Sequence, residues 1–182
     1  MRHTQRTARF VVLLTCALLL GACSPALDWR EARPQGTDLL LTFPCKPQQV
    51  TQPVMLGEQR VTMSMTGCVA SGMTFALAHA DVGSAPRVAP ALATLRAAAL
   101  ANVHGSAAAV HASAVAHATP GLADAVEMDV AGHDPRGGAV REHVVLFAQG
   151  SQVYQATALA TSAHYQDDAA RSFAASIRLP GP

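Results

Sequence analysis

His79 and Asp81 are the two side chains of this sequence that are best spaced for acid–base chemistry. They end the alternating segment that begins at Met73, so a strand there would place both on one face. An imidazole supported by a carboxylate can act as a general base. The sequence holds no Gly-x-Ser-x-Gly motif that would supply a nucleophile. We therefore expect His79 to be a hydrogen-bonded structural residue at the sheet edge, and a hydrolase using His79 is the weakest alternative.

Other histidines raise the question of metal binding. His104, His111 and His117 stand seven and six residues apart, which differs from the spacing of four that places two ligands on one helix face. His133 lies in a glycine-rich segment that is typical of a turn. We therefore predict solvated histidines, with no metal site and no cofactor.

Four methionines are close together in the sequence and could ligate copper outside the cytoplasm. They are Met55, Met63, Met65 and Met73. Met63 and Met65 fall on the apolar side of an alternating segment, where core residues lie. We expect the cluster to fill the core, a role that suits the flexible methionine side chain.

The N-terminal segment has the pattern of a secretory signal. Arg2, Arg6 and Arg9 precede an apolar run over residues 10–22, and no acidic residue interrupts them. That run is shorter than the ~20 residues a membrane-spanning helix needs, so it predicts a signal peptide and no anchor helix. Removal of the signal peptide takes away Cys16 and leaves a net side-chain charge of about −2. Nucleic-acid-binding domains are usually basic, so this charge does not indicate nucleic-acid binding.

Leu19-Leu20-Gly21-Ala22-Cys23 resembles the lipobox of bacterial lipoproteins, an aliphatic residue and two small residues before a cysteine. The resemblance implies that residues 1–22 are cleaved and that Cys23 carries the fatty acyl (palmitate-type) chains. Ser24, in place of the aspartate that retains such proteins at the inner membrane, favours the outer membrane. The alternative is an ordinary secretory signal with a chance cysteine.

Cys45 and Cys68 remain as an even pair in an oxidising compartment, which favours a disulfide between them. The bridge would close a loop of about 23 residues and contribute ~3 kcal/mol. Two separate buried thiols are the alternative. The strand alternation places the two cysteines on opposite faces, so a bulge or a strand end must redirect one of them.

The remaining chain predicts a single domain of the α+β class, because strands, a helix, strands and a helix follow one another. We expect a lipidated tether with a first short strand over residues 23–36 and the domain over residues 37–180. An antiparallel sheet of six to seven strands would carry two helices, at about 90–104 and 165–177. Residues 106–120 are rich in alanine and predict a loop with some strand.

The segment Leu41-Thr42-Phe43-Pro44-Cys45-Lys46-Pro47 resembles the Phe-Pro-Gly-Lys-Pro start of a group of small secreted bacterial domains. Later segments of residues 74–81, 95–102, 150–156 and 172–174 extend the resemblance over most of residues 37–179. The chain is similar to lipoproteins of the Burkholderiales type, which carry cysteine where others have glycine. That replacement also supports pairing Cys45 with Cys68. The resemblance implies a PsbP-like α/β/α sandwich and no catalytic residue.

These observations predict a non-enzymatic accessory or binding domain, held on the periplasmic side of the outer membrane by its N-terminal lipid. Its partner would be an envelope protein, and nucleic acid is not expected. A carrier with an apolar pocket between helix and sheet for a small ligand is the alternative.

Overall fold

The structure, a computed structural model, describes residues 27–181. The predicted signal peptide of residues 1–22 and the predicted lipidation site at Cys23 lie outside the described residues. Within the described part, no helix has the length and apolar character needed to cross a membrane.

Nine strands, two α-helices and a single 3-10 turn (Ala85–Arg87) before the first helix make up the described chain, in the order strands, helix, strands, helix. The strands and α-helices are β1 (Arg30–Ala32), β2 (Leu41–Phe43), β3 (Gln48–Leu56), β4 (Gln59–Ala70), β5 (Met73–Asp81), α1 (Val88–Asn102), β6 (Ser106–Ala112), β7 (Val126–His133), β8 (Ala139–Gln149), β9 (Gln152–Thr161) and α2 (Asp167–Ala175). The predicted α+β class is confirmed.

Seven strands form one antiparallel sheet in the order β3-β4-β5-β9-β8-β7-β6, and β1 pairs with β2 in a small ribbon. Tight turns join the hairpins. Between β4 and β5 both turn residues are left-handed, Ser71 at φ 49° and Gly72 at φ 77°, which matches the right-handed twist of a strand pair.

The sheet is covered on both faces. Along β8, Val144, Leu146 and Ala148 point to one side and pack with the buried residues of α1. Val145 and Phe147 point to the other side and pack with α2 and the β1–β2 ribbon. We call these the α1 face and the α2 face. The domain therefore has three layers.

Helix α1 crosses its face diagonally. Near its N-terminal end, a Cβ added to Gly57 in the β3–β4 turn would lie 3.3 Å from Pro90 Cβ. Beyond its C-terminal end, the Val103 carbonyl accepts a hydrogen bond from the His133 amide at the end of β7. The corner of this face where β4 ends and β5 begins receives no cover from the helix.

Segment 106–120, for which a loop with some strand was expected, contains one strand. Its first half is β6, an edge strand paired with β7 with a register shift between Ala107 and Ala109. Alanine side chains show little contrast between faces, so the apolar alternation that marks a strand is missing. Backbone hydrogen bonds to β7 produce this strand.

Candidate functional site

His79 is buried, with 5% of its surface exposed, and its contacts hold neighbouring segments together. Its strand, β5, lies between β4 and β9, so the expected position at the sheet edge is wrong. The Nε2 atom donates to the Gln35 carbonyl oxygen at 3.2 Å, which fixes the tautomer. Burial lowers the pKa of His79 and favours the neutral ring.

The expected pairing of His79 with Asp81 does not form. Asp81 is exposed at the end of β5, where its Oδ1 accepts a 2.7 Å hydrogen bond from the Gly83 amide. That bond lowers the pKa of Asp81. The carboxylate stabilises the turn that follows β5, because aspartate side chains commonly accept a hydrogen bond from a backbone amide two residues later in turns.

A strap of residues 33–40 closes over His79. Thr37 Oγ1 and the Tyr154 hydroxyl share a hydrogen bond of 2.9 Å, and the Tyr154 ring stacks on His79 with centroids 6.1 Å apart. Gly36 has a φ of +88°, and a Cβ there would lie 3.3 Å from His79 Cε1. The ring therefore anchors the strap against the sheet.

The disulfide between Cys45 and Cys68 is confirmed, with Cα atoms 6.0 Å apart. Cys45 lies in the loop after β2, and Cys68 lies on β4. The strand alternation had placed the two cysteines on opposite faces of the sheet. Because Cys45 follows the end of β2 and lies outside any strand, its side chain is free of that alternation and can reach Cys68.

The structure shows which of the other histidines and methionines are exposed and which are buried. His104, His111, His117 and His133 are exposed, as expected. Core filling is confirmed for Met63 and Met73, which are 7% and 0% exposed, and it is wrong for Met55 and Met65. Met65 shares a face with Met63 but lies at the corner that α1 leaves open. Within residues 27–181, no group of three or more histidine, cysteine or acidic residues is placed to hold a metal ion.

A charged cluster on the α2 face was not anticipated from the sequence. The His143 side chain on β8 is 3% exposed and lies between two carboxylates of β7. Its Nδ1 atom donates to Asp129 Oδ1 at 2.7 Å. Its Nε2 atom lies 3.0 Å from Glu127 Oε1, at ion-pair distance but without the alignment of a hydrogen bond. Both ring nitrogens therefore face a carboxylate.

Two arginines connect this cluster to α2. Arg171 on the helix lies 3.4 Å from Asp129 Oδ2. Arg141 donates to both carboxylate oxygens of Asp167 at 3.0 and 2.8 Å, which lowers the pKa of that carboxyl. The same guanidinium lies 4.3 Å from the centroid of the Tyr165 ring. Burial raises the pKa of Tyr165 to about 12.

The cluster forms one end of a groove between α2, β7 and the segment that follows β6. The groove comprises two adjoining clefts of about 150 and 460 Å³, which share Glu127 and Arg171. The charged end is lined by His111, Glu127, Asp129, His143 and Arg171. The other end is mostly apolar and is lined by Ala114, Val115, Ala116, Val145, Ala174, Ala175 and Ile177.

This arrangement suits binding better than proton transfer. A general base needs a ring nitrogen within reach of the proton that it removes, and in His143 both nitrogens already face carboxylates. A groove with one apolar end and a few fixed charges is typical of a ligand site. The signal in the sequence is the alternation of Glu127 and Asp129 with apolar neighbours, and of Arg141 with His143.

Glu142, the neighbour of His143, points to the α1 face. It is 6% exposed, and its surroundings raise its pKa to about 7, because burial outweighs a hydrogen bond with the Thr157 side chain. Its Oε2 atom has no hydrogen-bond partner among the residues that the structure describes. Glu142 is therefore a carboxyl group that is readily protonated near neutral pH.

The chain was compared with known protein families and with curated proteins. No family model matches it, and no curated protein matches it.

Proposed function

We propose that this chain is a lipoprotein of the bacterial envelope. Residues 1–22 are removed, Cys23 carries the acyl chains, and the domain faces the periplasm from the outer membrane. The observation that supports this best is the Cys45–Cys68 disulfide, because structural disulfides form and persist in oxidising compartments and are rare in the cytosol.

We further propose that the domain is a non-enzymatic binding module for an envelope protein partner. The ring nitrogens of His143 face two carboxylates, and Nε2 of His79 is held by a backbone carbonyl. The groove beside α2 offers both apolar surface and fixed charge. The three layers, with a helix on either face of the sheet, support a relation to PsbP-like domains and to the Burkholderiales-type lipoproteins that resemble this chain.

The lipid anchor is tested with the full chain expressed in a Gram-negative host. We expect globomycin to block processing, and we expect Cys23→Ser to move the protein from the membrane fraction to the soluble periplasmic fraction. Cys16→Ser is the matched control, because Cys16 leaves with the signal peptide and its replacement should change neither result. Processing that is insensitive to globomycin would contradict the anchor.

The partner is tested by crosslinking in intact cells and purification from solubilised membranes. Substituting Arg171→Glu in the groove should reduce the yield of the crosslinked partner, whereas Arg87→Glu on the opposite side of the sheet should not. Repeated recovery of the protein alone would contradict the binding role.

A carrier of small apolar ligands is the second candidate, and the apolar end of the groove favours it. Native mass spectrometry of the purified protein should then detect a bound molecule. Ala175→Trp should exclude it, because Ala175 lines the groove, whereas Ala101→Trp on exposed α1 surface should leave it bound. A protein with no bound molecule in either form would remove this candidate.

A further inference from the structure

The corner of the sheet beside the disulfide carries an unusual share of exposed apolar surface. We define the disulfide corner by the Cys45–Cys68 bridge, Lys46, Val50, Met65 and Val69, which line one open cleft of about 510 Å³. Val50, Met65 and Val69 are 62%, 37% and 68% exposed. Large exposed apolar patches mark interaction sites on soluble domains.

Trp29 lies at the same end of the sheet but on its α2 face, whereas Met65 and Val69 lie on the α1 face. It is 37% exposed, and its ring contacts Phe75 with centroids 6.3 Å apart. Phe75 is the register partner of Cys68, which places Trp29 beside the bridge. Among residues 27–181, six large apolar residues are exposed, and four of them lie here; Met55 and Val110 are elsewhere.

The chain enters the domain at this same corner. The Asp28 amide donates a 2.8 Å hydrogen bond to the Pro44 carbonyl oxygen, directly before Cys45. Only four residue steps separate Leu27 from Cys23, and a fully extended chain covers ~14 Å in that length. An acyl group on Cys23 must therefore lie close to the disulfide corner.

The chemistry of the corner fits a lipid surface. The residues that line its cleft include no acidic side chain, and they include Lys46, the single lysine of the chain. Tryptophan and lysine are typical of membrane interfaces, where a ring sits at headgroup level and an ammonium meets phosphate. The nearby Asp28 carboxylate is paired with Arg30.

We propose that the disulfide corner docks on the lipid bilayer that holds the Cys23 anchor, with Trp29, Val50, Met65 and Val69 at the headgroup boundary and Lys46 against lipid phosphate. This inference rests on the anchor proposed above. Docking fixes the orientation of the domain on the membrane.

The test uses the mature lipoprotein in vesicles of phosphatidylethanolamine and phosphatidylglycerol, with and without lipids brominated on their acyl chains. Trp29 is the only tryptophan of the chain, so quenching of its fluorescence reports contact with the lipids. The test variant is Val50→Asp with Val69→Asp. The matched control is Met55→Asp with Val110→Asp, which adds the same charge at the exposed apolar positions outside the corner.

We expect strong quenching in the wild type and in the control. In the test variant the ratio of docked to undocked protein should fall about tenfold or more. The variant loses the hydrophobic gain of moving two valines from water to lipid, and it must instead transfer two carboxylates out of water. Vesicle flotation and the acyl mass on Cys23 are measured on the same samples.

Three outcomes would overturn the proposal. A protein that floats with vesicles but shows no quenching, or equal quenching in the test variant, refutes docking and leaves the anchor intact. A spectral shift that grows with protein density without quenching assigns the corner to a second copy of the chain. A wild type without acyl mass that fails to float refutes the anchor and docking together.

Discussion

Glu142 and His143 are neighbours on β8, yet they point to opposite faces of the sheet and show how differently the two faces treat charge. On the α1 face, Glu142 is surrounded by apolar residues such as Val130 and Leu159, its neighbours in register, and its pKa is raised to about 7. On the α2 face, His143 lies between Asp129 and Glu127. Among the described residues, a buried titratable group therefore has no charged partner on one face and faces two carboxylates on the other.

The difference follows from what covers each face. Helix α1 presents valine, leucine and alanine to the sheet, so its face supplies no charged partner at Glu142. Helix α2 is short and carries Asp167 and Arg171, which extend the charges of β7 and β8 to the domain surface. Ionisable groups that are left without partners cost stability, whereas grooves with fixed charges provide specificity. The α1 face is therefore almost wholly apolar, whereas the α2 face carries the fixed charges of the groove.

The largest expected effect comes from removing an apolar anchor on either face. Phe173 of α2 is 1% exposed and packs between Phe43 and Phe75, with centroids 5.2 and 5.5 Å away. Phe173→Ala should lower the free energy of unfolding by about 3–5 kcal/mol, and Leu92→Ala on α1 by about 2–5 kcal/mol. Chemical denaturation measures both. A loss below about 1 kcal/mol for either residue would show that its face is not a packed core.

Glu142 should make stability depend on pH. Its pKa is about 7 in the folded chain and near 4.5 in the unfolded chain, so the folded protein holds the proton more tightly. The stability that Glu142 contributes is then fully present below about pH 4.5, declines as pH rises towards 7, and is lower by about 3 kcal/mol above that. Glu142→Gln should remove this decline.

Glu58→Gln, on an exposed turn, is the control for Glu142 and should leave the pH profile unchanged. Denaturant midpoints measured from pH 4 to pH 8 compare the three proteins. A wild-type profile that matches that of Glu142→Gln would contradict the raised pKa.

His143→Leu should lower the free energy of unfolding by about 1–3 kcal/mol, because Asp129 and Glu127 would lose the group that lies between them. His133→Leu, at an exposed strand end, should change it by less than about 0.5 kcal/mol. Thermal denaturation of both variants at one pH separates them. Equal stability of the two variants would show that the cluster does not support the fold.

Arg141→Ala should have the smallest effect. The Arg141–Asp167 pair is half exposed, and such pairs contribute about 0.2–1 kcal/mol. The loss should shrink in high salt, which screens exposed charges. A loss that is insensitive to salt would indicate that contact with the Tyr165 ring contributes more than the ion pair.

The sequence predicted most of the fold because strands with one buried face alternate visibly. Segments such as Val61 to Met65 and Val126 to Val130 show that period, and both are strands in the structure. The bounds of strand β6 could not be predicted, because alanine side chains do not distinguish a buried face from an exposed one. Met65 was assigned to the core because alternation shows which side a residue faces, but not where a diagonal helix stops covering that side.

The candidate site was less accessible to prediction. Asp129 and His143 are separated by 14 residues and meet only because β7 and β8 pair in one particular register. In contrast, His79 and Asp81 are close in sequence, yet the turn after β5 takes up the aspartate. The disulfide was predictable from the number of cysteines and the expected oxidising compartment. The way in which Cys45 reaches Cys68 was not, because it depends on the position of Cys45 in a loop.

The most direct test of the central claim is the intact mass of the protein purified from membranes, measured before and after reduction. We predict a chain that begins at Cys23, carries acylglycerol mass on that residue, and gains two hydrogens on reduction of the Cys45–Cys68 bridge. A chain that retains residues 1–22, or that begins near Cys23 without added lipid, would contradict the proposed envelope lipoprotein.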